Sequence, residues 1–285
     1  MLPALRGQGG LNMTSDPAGG HQAGSTPDIM QIFNLSGKAA IVTGAGRGLG
    51  QAMANALAQA GASVAVFDVN EDDANAAAAE INAWGGKAVA LQVDVTDSQQ
   101  VQAGIQRVIE AFGEIDVLVN NAGVTSRAPF EDLEQEDWER VLHVNLGGIY
   151  QCSRWVAKRW ITLKKPGSII NIASISGFVG NRGGLNSHYC ATKGGVIALT
   201  RSLAVEWAPY QIRVNAIAPG YFVTPMTDRL KRINPEFYAE LINRVPLGRF
   251  GEGPDLAGAV IYLASQASVF VTGHVLVIDG GYTAW

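Results

Sequence analysis

Only two cysteines, Cys152 and Cys190, occur in 285 residues, with no CxxC pair and no Cys/His cluster. That scarcity excludes a disulfide framework and a structural zinc site, and it fits a reducing cytoplasm. Charge is sparse too: 16% of residues are charged, the net charge is −4, and no run of basic residues interrupts the acidic balance. A general affinity for nucleic acid is therefore not expected. No apolar run approaches the roughly 20 residues of a membrane span, so no membrane partner is expected either. The first 28 residues are rich in Gly and Pro, with one Arg and no hydrophobic stretch of signal-peptide length. They read as part of a disordered tail, residues 1–34, ahead of one domain over 35–285.

What is present is a hydrophobic content of 47%, enough for one large core. From Lys38 onward, short β-branched runs alternate with Ala-rich helical patterns. Strands are expected near 38–43, 63–68, 87–94, 116–121, 167–174, 212–219 and 275–279. Helices are expected near 48–60, 71–84, 98–112, 135–164, 188–208 and 253–265, with a further helical excursion near 225–243. Alternation of this kind predicts an α/β domain built on a doubly wound, Rossmann-type parallel sheet of about seven strands.

The first strand runs into TGAGRGLG, residues 43–50, and then directly into a helix. In that setting Gly44, Gly48 and Gly50 let the backbone approach a pyrophosphate, whose charge meets amide donors and the helix N-terminus, with Arg47 and Leu49 in the same turn. The second strand ends in Asp68, where an acid accepts hydrogen bonds from the adenosine ribose and repels a 2′-phosphate. This favours NAD over NADP, although Arg47 pulls the other way. Asp94 and Val95 end the third strand within reach of the adenine, but an acid there is often only a helix cap.

Tyr189 and Lys193 stand four positions apart, on one face of a helix. A solvated surface pair is the ordinary explanation of such spacing. The chemical one is a phenol, with an ordinary pKa of about 10, whose proton is loosened by a neighbouring ammonium.

Together TGAGRGLG, NNAG at 120–123, Asn145 in HVNLGG, Ser174 in NIAS, YCATK at 189–193 and APG at 218–220 resemble the short-chain dehydrogenase/reductase family. The resemblance implies that Tyr189 exchanges the hydroxyl proton of an alcohol while hydride passes between its carbon and a nicotinamide. It implies that Lys193 lowers the phenol's pKa and holds the nicotinamide ribose, that Ser174 binds the substrate oxygen, and that Asn145 supports Lys193 through water. Asn121, Ala122, Gly123, Pro219, Gly220, Phe222 and Thr224 would complete the cofactor site. No metal is needed.

Ser174 and Tyr189 lie 15 positions apart, longer than the spacing common in the family. The longer loop and the ending DGGYTAW resemble polyol and sugar-acid dehydrogenases of the galactitol, arabinitol and gluconate type. Ser176, Asn181, Asn186 and His188 could then meet substrate hydroxyls, or simply form a polar surface loop. Two alternatives remain: a 3-oxoacyl carrier-protein reductase, against which Asp68 and the acidic balance speak, and a catalytically inactive nucleotide sensor, against which the complete tetrad speaks. The partner expected is a small alcohol or ketone. A homotetramer is also expected, because Trp155, Trp160, Tyr282 and Trp285 suggest more apolar surface than one chain covers.

Overall fold

A computed structural model of the chain describes residues 28–181 and 183–285. Of the tail expected over 1–34, residues 1–27 lie outside the described residues. The chain divides into two units, Met1–Gln31 and Ile32–Trp285. In the first, the Asp28 carboxylate accepts the Met30 amide at 3.0 Å.

The second unit carries seven parallel strands: β1 (Ala39–Thr43), β2 (Ser63–Asp68), β3 (Lys87–Gln92), β4 (Val117–Asn120), β5 (Gly167–Ile172), β6 (Ile212–Pro219) and β7 (Val275–Ile278). Their order is β3-β2-β1-β4-β5-β6-β7. Every residue of β1 and β4 is buried, as expected of strands that helices cover on both faces. Val42 pairs with Val66 on one side and with Val119 on the other. The chain winds outward from β1 through β2 to β3, then returns to β4 and winds the other way. That reversal opens a crevice at the carboxyl ends of β1 and β4, where such sheets bind ligands.

Helices α1 (Gly48–Gln59), α2 (Glu71–Ala83) and α9 (Gly253–Ala264) pack Met53, Leu57, Ile81, Val260 and Leu263 onto one face of the sheet. On the other face lie α3 (Ser98–Phe112), α5 (Gly148–Leu163) and α6 (Ser187–Trp207), which contribute Val101, Ile105, Val156, Trp160 and Ala204. Strands β3 and β5 end two residues earlier than the sequence suggested, where their chains turn into the crevice.

Two helices differ from expectation. The stretch 135–164 is not one α-helix: α4 (Gln135–Leu142) and α5 are joined by a π-helical turn, His143–Gly147, with Asn145 buried inside it. The excursion 225–243 is two helices, α7 (Pro225–Ile233) and α8 (Pro235–Asn243). Pro235 has no amide to continue α7, and the Asn234 side chain starts α8 by accepting the Phe237 amide at 3.0 Å.

The tryptophans of α5 also correct an expectation. Trp160 is fully buried in its own chain, its indole nitrogen donating to the Ile115 carbonyl at 2.8 Å. Trp155 is half-buried, donates to Ser98 Oγ at 3.1 Å, and carries Arg154 and Lys158 over its ring. Neither supplies the surplus apolar surface assigned to it. Among the described residues no helix is long and apolar enough to cross a membrane.

Candidate active site

A cleft of about 660 Å³ lies over the carboxyl ends of the central strands. At one end it is walled by the glycine turn, with Gly44, Arg47, Leu49 and Gly50, and by Asp68, Asp94 and Val95. At its centre stand Asn121, Ala122, Gly123, Ser174, Tyr189 and Lys193. Pro219, Gly220, Phe222 and Thr224 close the side beyond β6. The cofactor residues expected from sequence therefore converge, apart from Gly48, the first residue of α1.

Backbone proximity explains the glycines. A Cβ on Gly50 would stand 2.1 Å from the Gly44 carbonyl oxygen, so the turn closes only without one. Gly48 has φ +61°, and a Cβ there would meet nothing within 4 Å, which leaves open space above the first turn of α1. Arg47 occupies the N-cap with no side-chain cap bond, so amide donors at the helix start remain for an anion. Asn121 contributes differently from expectation: its amide nitrogen donates to the carbonyls of Thr43 at 3.0 Å and Gly44 at 2.9 Å. It braces the glycine turn as well as lining the cleft.

Asp68 receives the Gly46 amide at 2.9 Å on one oxygen and the Asn70 amide at 3.0 Å on the other. The exposed Arg47 leans towards Asp73 at 3.7 Å. Asp94 is engaged by Thr96, through its amide at 2.9 Å and its hydroxyl at 2.7 Å. Asp97 caps α3. Thr224 caps α7 in a reciprocal box with Thr227. An open anion cradle followed by an acid at the end of β2 fits a nicotinamide dinucleotide.

The candidate reacting groups sit where β5 meets α6. Ser174 leaves β5 and faces the cleft beside Tyr189, its Oγ donating to Ser176 Oγ at 3.1 Å. Burial pushes the Tyr189 phenol above its ordinary value, and the neighbouring Ser174 hydroxyl pulls it partly back. Burial likewise depresses Lys193 to about 8. Lys193 donates to the Ile172 carbonyl at 2.7 Å and lies 5.5 Å from the centre of the Tyr189 ring. In the chain without cofactor, burial is the largest influence on this phenol.

Asn145 does not line the cleft. Its side chain accepts the Val124 amide at 2.8 Å and donates to the Val124 carbonyl and to Thr192 Oγ1, both at 3.0 Å. The π-helical turn thus aims Asn145 at the loop after β4 and fixes that loop against α6.

On the substrate side, Ser176 Oγ receives Ser174 Oγ at 3.1 Å and the Asn181 amide at 2.8 Å. Asn181 also reaches Asn186 at 3.4 Å. These three candidates line the cleft beside Tyr189. His188 does not: it is buried, and its Nε2 meets Ser126 Oγ at 2.8 Å. Helical spacing explains this, since the residue before Tyr189 faces another direction.

Sequence reasoning missed the opposite wall, formed by Arg127, Tyr221, Leu230, Phe237 and Leu241. Tyr221 could have been found, because it directly follows Pro219-Gly220. The residues of α7 and α8 carry no such signal.

A family model described as Enoyl-(Acyl carrier protein) reductase matches residues 44–283. A 3-oxoacyl-acyl-carrier-protein reductase from Thermotoga maritima is 41% identical over 250 residues, covering 87% of this chain and 99% of its own. Gluconate 5-dehydrogenase from Gluconobacter oxydans is 39% identical over 259 residues, covering 91% of this chain and 98% of its own. A solved gluconate 5-dehydrogenase from Burkholderia cenocepacia, in complex with NADP and tartrate, superposes with a TM-score of 0.84 at 39% identity, covering 90% and 99% of the two chains. Glycine turn, Ser174–Tyr189–Lys193 centre and near-complete coverage agree: the chain belongs to the short-chain dehydrogenase/reductase family and is an oxidoreductase acting on a CH–OH group.

Proposed function

We propose that the alcohol is a hydroxyl-rich acid or polyol, with a sugar acid of the gluconate type as the best fit. The observation that carries this reading is the ladder Ser174–Ser176–Asn181, which lines one wall beside Tyr189 with hydroxyl and amide groups. A substrate with several hydroxyls exchanges hydrogen bonds with such a wall through the donors and acceptors left over from the ladder, whereas an apolar one only covers them. The exposed guanidinium of Arg127 on the same cleft suits a carboxylate.

The nicotinamide, when bound, accepts or supplies the hydride. Ser174 holds the substrate oxygen, and Tyr189 takes its proton as the carbonyl forms or returns it in the reverse direction. Lys193, tethered to β5, keeps positive charge beside the phenolate whenever it is protonated. Val124, clamped by Asn145, keeps the loop after β4 in place.

NAD is the cofactor this reading prefers. Asp68 at the end of β2, with Glu71, Asp72 and Asp73 in the first turn of α2, makes the ribose end acidic and unfavourable to a 2′-phosphate. The relative from Burkholderia cenocepacia was solved with NADP, so the preference is a test of this chain's own residues. A homotetramer in a reducing cytoplasm completes the reading. It is supported by exposed Val205, Val269, Phe270 and Trp285, and by two free thiols.

The 41% identity to a 3-oxoacyl-acyl-carrier-protein reductase supports a second reading. One experiment separates the two. The purified chain is given gluconate, related sugar acids, polyols and an acetoacetyl thioester with NAD or NADP, and absorbance of the reduced nicotinamide is followed. Turnover of sugar acids above the thioester supports the proposal. A thioester kcat/KM above every sugar acid and polyol replaces it with the second reading.

A further inference from the structure

The last seven residues fold back towards the substrate half of the cleft. Asp279 organises them: its carboxylate accepts the amides of Gly281 and Thr283, both at 2.8 Å, and the Thr283 hydroxyl at 2.7 Å. The Gly280 carbonyl accepts the Leu247 amide at 3.1 Å, which ties this turn to the segment after α8. The turn delivers the ring of Tyr282 edge-on to that of Tyr221, with centres 5.3 Å apart and planes at 70°. On the other side Tyr221 stacks on Phe250 at 5.4 Å, and Phe250 in turn meets Tyr238 of α8 at 4.8 Å.

Tyr221 is a cleft residue, so this aromatic cluster is the backing of the substrate wall. Arg244 closes α8 and pairs with Glu240. Burial and the neighbouring Tyr282 push the Tyr221 phenol up to about 12, so it stays a hydrogen-bond donor across the physiological range. Phe237 and Leu241 of the same helix line the cleft. Among the described residues, no ring contact of the cluster runs to the glycine turn or Asp68.

We propose that Tyr282, held by the Asp279-centred turn, is a positioning residue for substrate: it fixes Tyr221 in the cleft wall and ties α8 to it, so the C-terminal segment sets substrate affinity and selectivity without touching the cofactor. The ring edge of Tyr282 wedges Tyr221 against Phe250, and Phe250 carries the contact on to Tyr238 of α8. The substrate then meets a wall whose shape is set by residues remote from it in sequence. The proposal rests on the cleft being an oxidoreductase site, but it is independent of which hydroxyl-bearing substrate proves correct.

The test uses the full chain with Tyr282→Ala, Tyr282→Phe and Asp279→Asn, and two kinds of readout. In steady-state kinetics with the best substrate of the panel, Tyr282→Ala should raise substrate KM about tenfold, with kcat and cofactor Kd changed less than about threefold. Tyr282→Phe keeps the ring and should recover at least half of that change on a logarithmic scale. The second readout needs no substrate. The Tyr221 carbonyl accepts the Gly251 amide at 2.9 Å, and the Val223 amide donates to the Gly251 carbonyl at 2.8 Å. Hydrogen exchange at Val223 and Gly251 should accelerate in Tyr282→Ala and Asp279→Asn, while β1 and β4 keep wild-type protection. Unchanged exchange at both amides overturns the proposal even if no panel substrate turns over, a result that would count separately against the sugar-acid reading. Loss of cofactor affinity and kcat in parallel with KM also overturns it, because that pattern belongs to general destabilisation.

Discussion

Lys193 is tethered to the backbone of β5, not to the phenol oxygen: its ammonium donates to the Ile172 carbonyl at 2.7 Å and stands 5.5 Å from the centre of the Tyr189 ring. Burial lowers its pKa from 10.5 to about 8. The unfolded chain therefore binds more protons than the folded one between those values, and this group's contribution makes stability rise with pH across that window. Comparing cofactor-free wild type with Lys193→Met, the Tm difference should move in favour of wild type from about pH 8 to about pH 10. A difference that stays flat would show that burial does not tax the charge.

Tyr189→Phe removes the exchangeable proton and leaves the ring. The expected loss in kcat is at least about a hundredfold, the low end for a catalytic proton transfer, with cofactor Kd nearly unchanged. Because burial raises the phenol, wild-type alcohol oxidation should also speed up with alkaline pH, whereas ketone reduction should not. A variant keeping more than about a tenth of wild-type kcat would assign the proton to another group.

On the proposed reading, cofactor preference turns on Asp68. Its replacement by Ala removes a charge at the end of β2 and also the acceptor of the Gly46 amide. The ratio of kcat/KM for NAD to that for NADP should fall about tenfold or more, a change of roughly 1.4 kcal/mol in discrimination. Asp68→Asn keeps an acceptor for Gly46 and separates the two effects. A wild type that already prefers NADP would mean that Arg47 outweighs the acidic first turn of α2.

Gly50→Ala and Gly48→Ala make a contrasting pair. At Gly50 the new methyl would stand 2.1 Å from a backbone carbonyl, so the turn must open, and nucleotide affinity should be lost. At Gly48 there is room, and the cost is that of φ +61°, about 1–2 kcal/mol of stability. Calorimetric titration with the cofactor and thermal melts should separate a lost site from a strained one. Equal affinities in the two variants would remove the turn from the binding argument.

The sheet was legible in the sequence because its central strands are buried on both faces and so read as unbroken apolar runs bounded by helical patterns. The candidate centre was legible as a set of short motifs, and Ser174, Tyr189 and Lys193 do line one cleft. Direction was harder to read than position. His188 lies on the expected helix, yet its ring turns to Ser126, because one step along a helix rotates a side chain by about 100°. Trp160 looked like surface to be covered, and only the folded chain brings it the Ile115 carbonyl. The wall of Tyr221, Phe237 and Leu241 depends on where two short helices and the C-terminal turn come to rest. No local pattern encodes that placement.

The π-helical turn at His143–Gly147 gives Asn145 its aim at Val124 without disturbing α5, which carries Trp160 into the sheet beyond it. A wide turn of this kind absorbs one extra residue locally, so the helix on either side keeps its alignment. Deleting one residue here would restore ordinary α-helix and leave Trp160 at Ile115, while Asn145 lost its place facing Val124. The extra residue thus serves the loop after β4 and not the core, and its removal should loosen that loop in a chain that still folds.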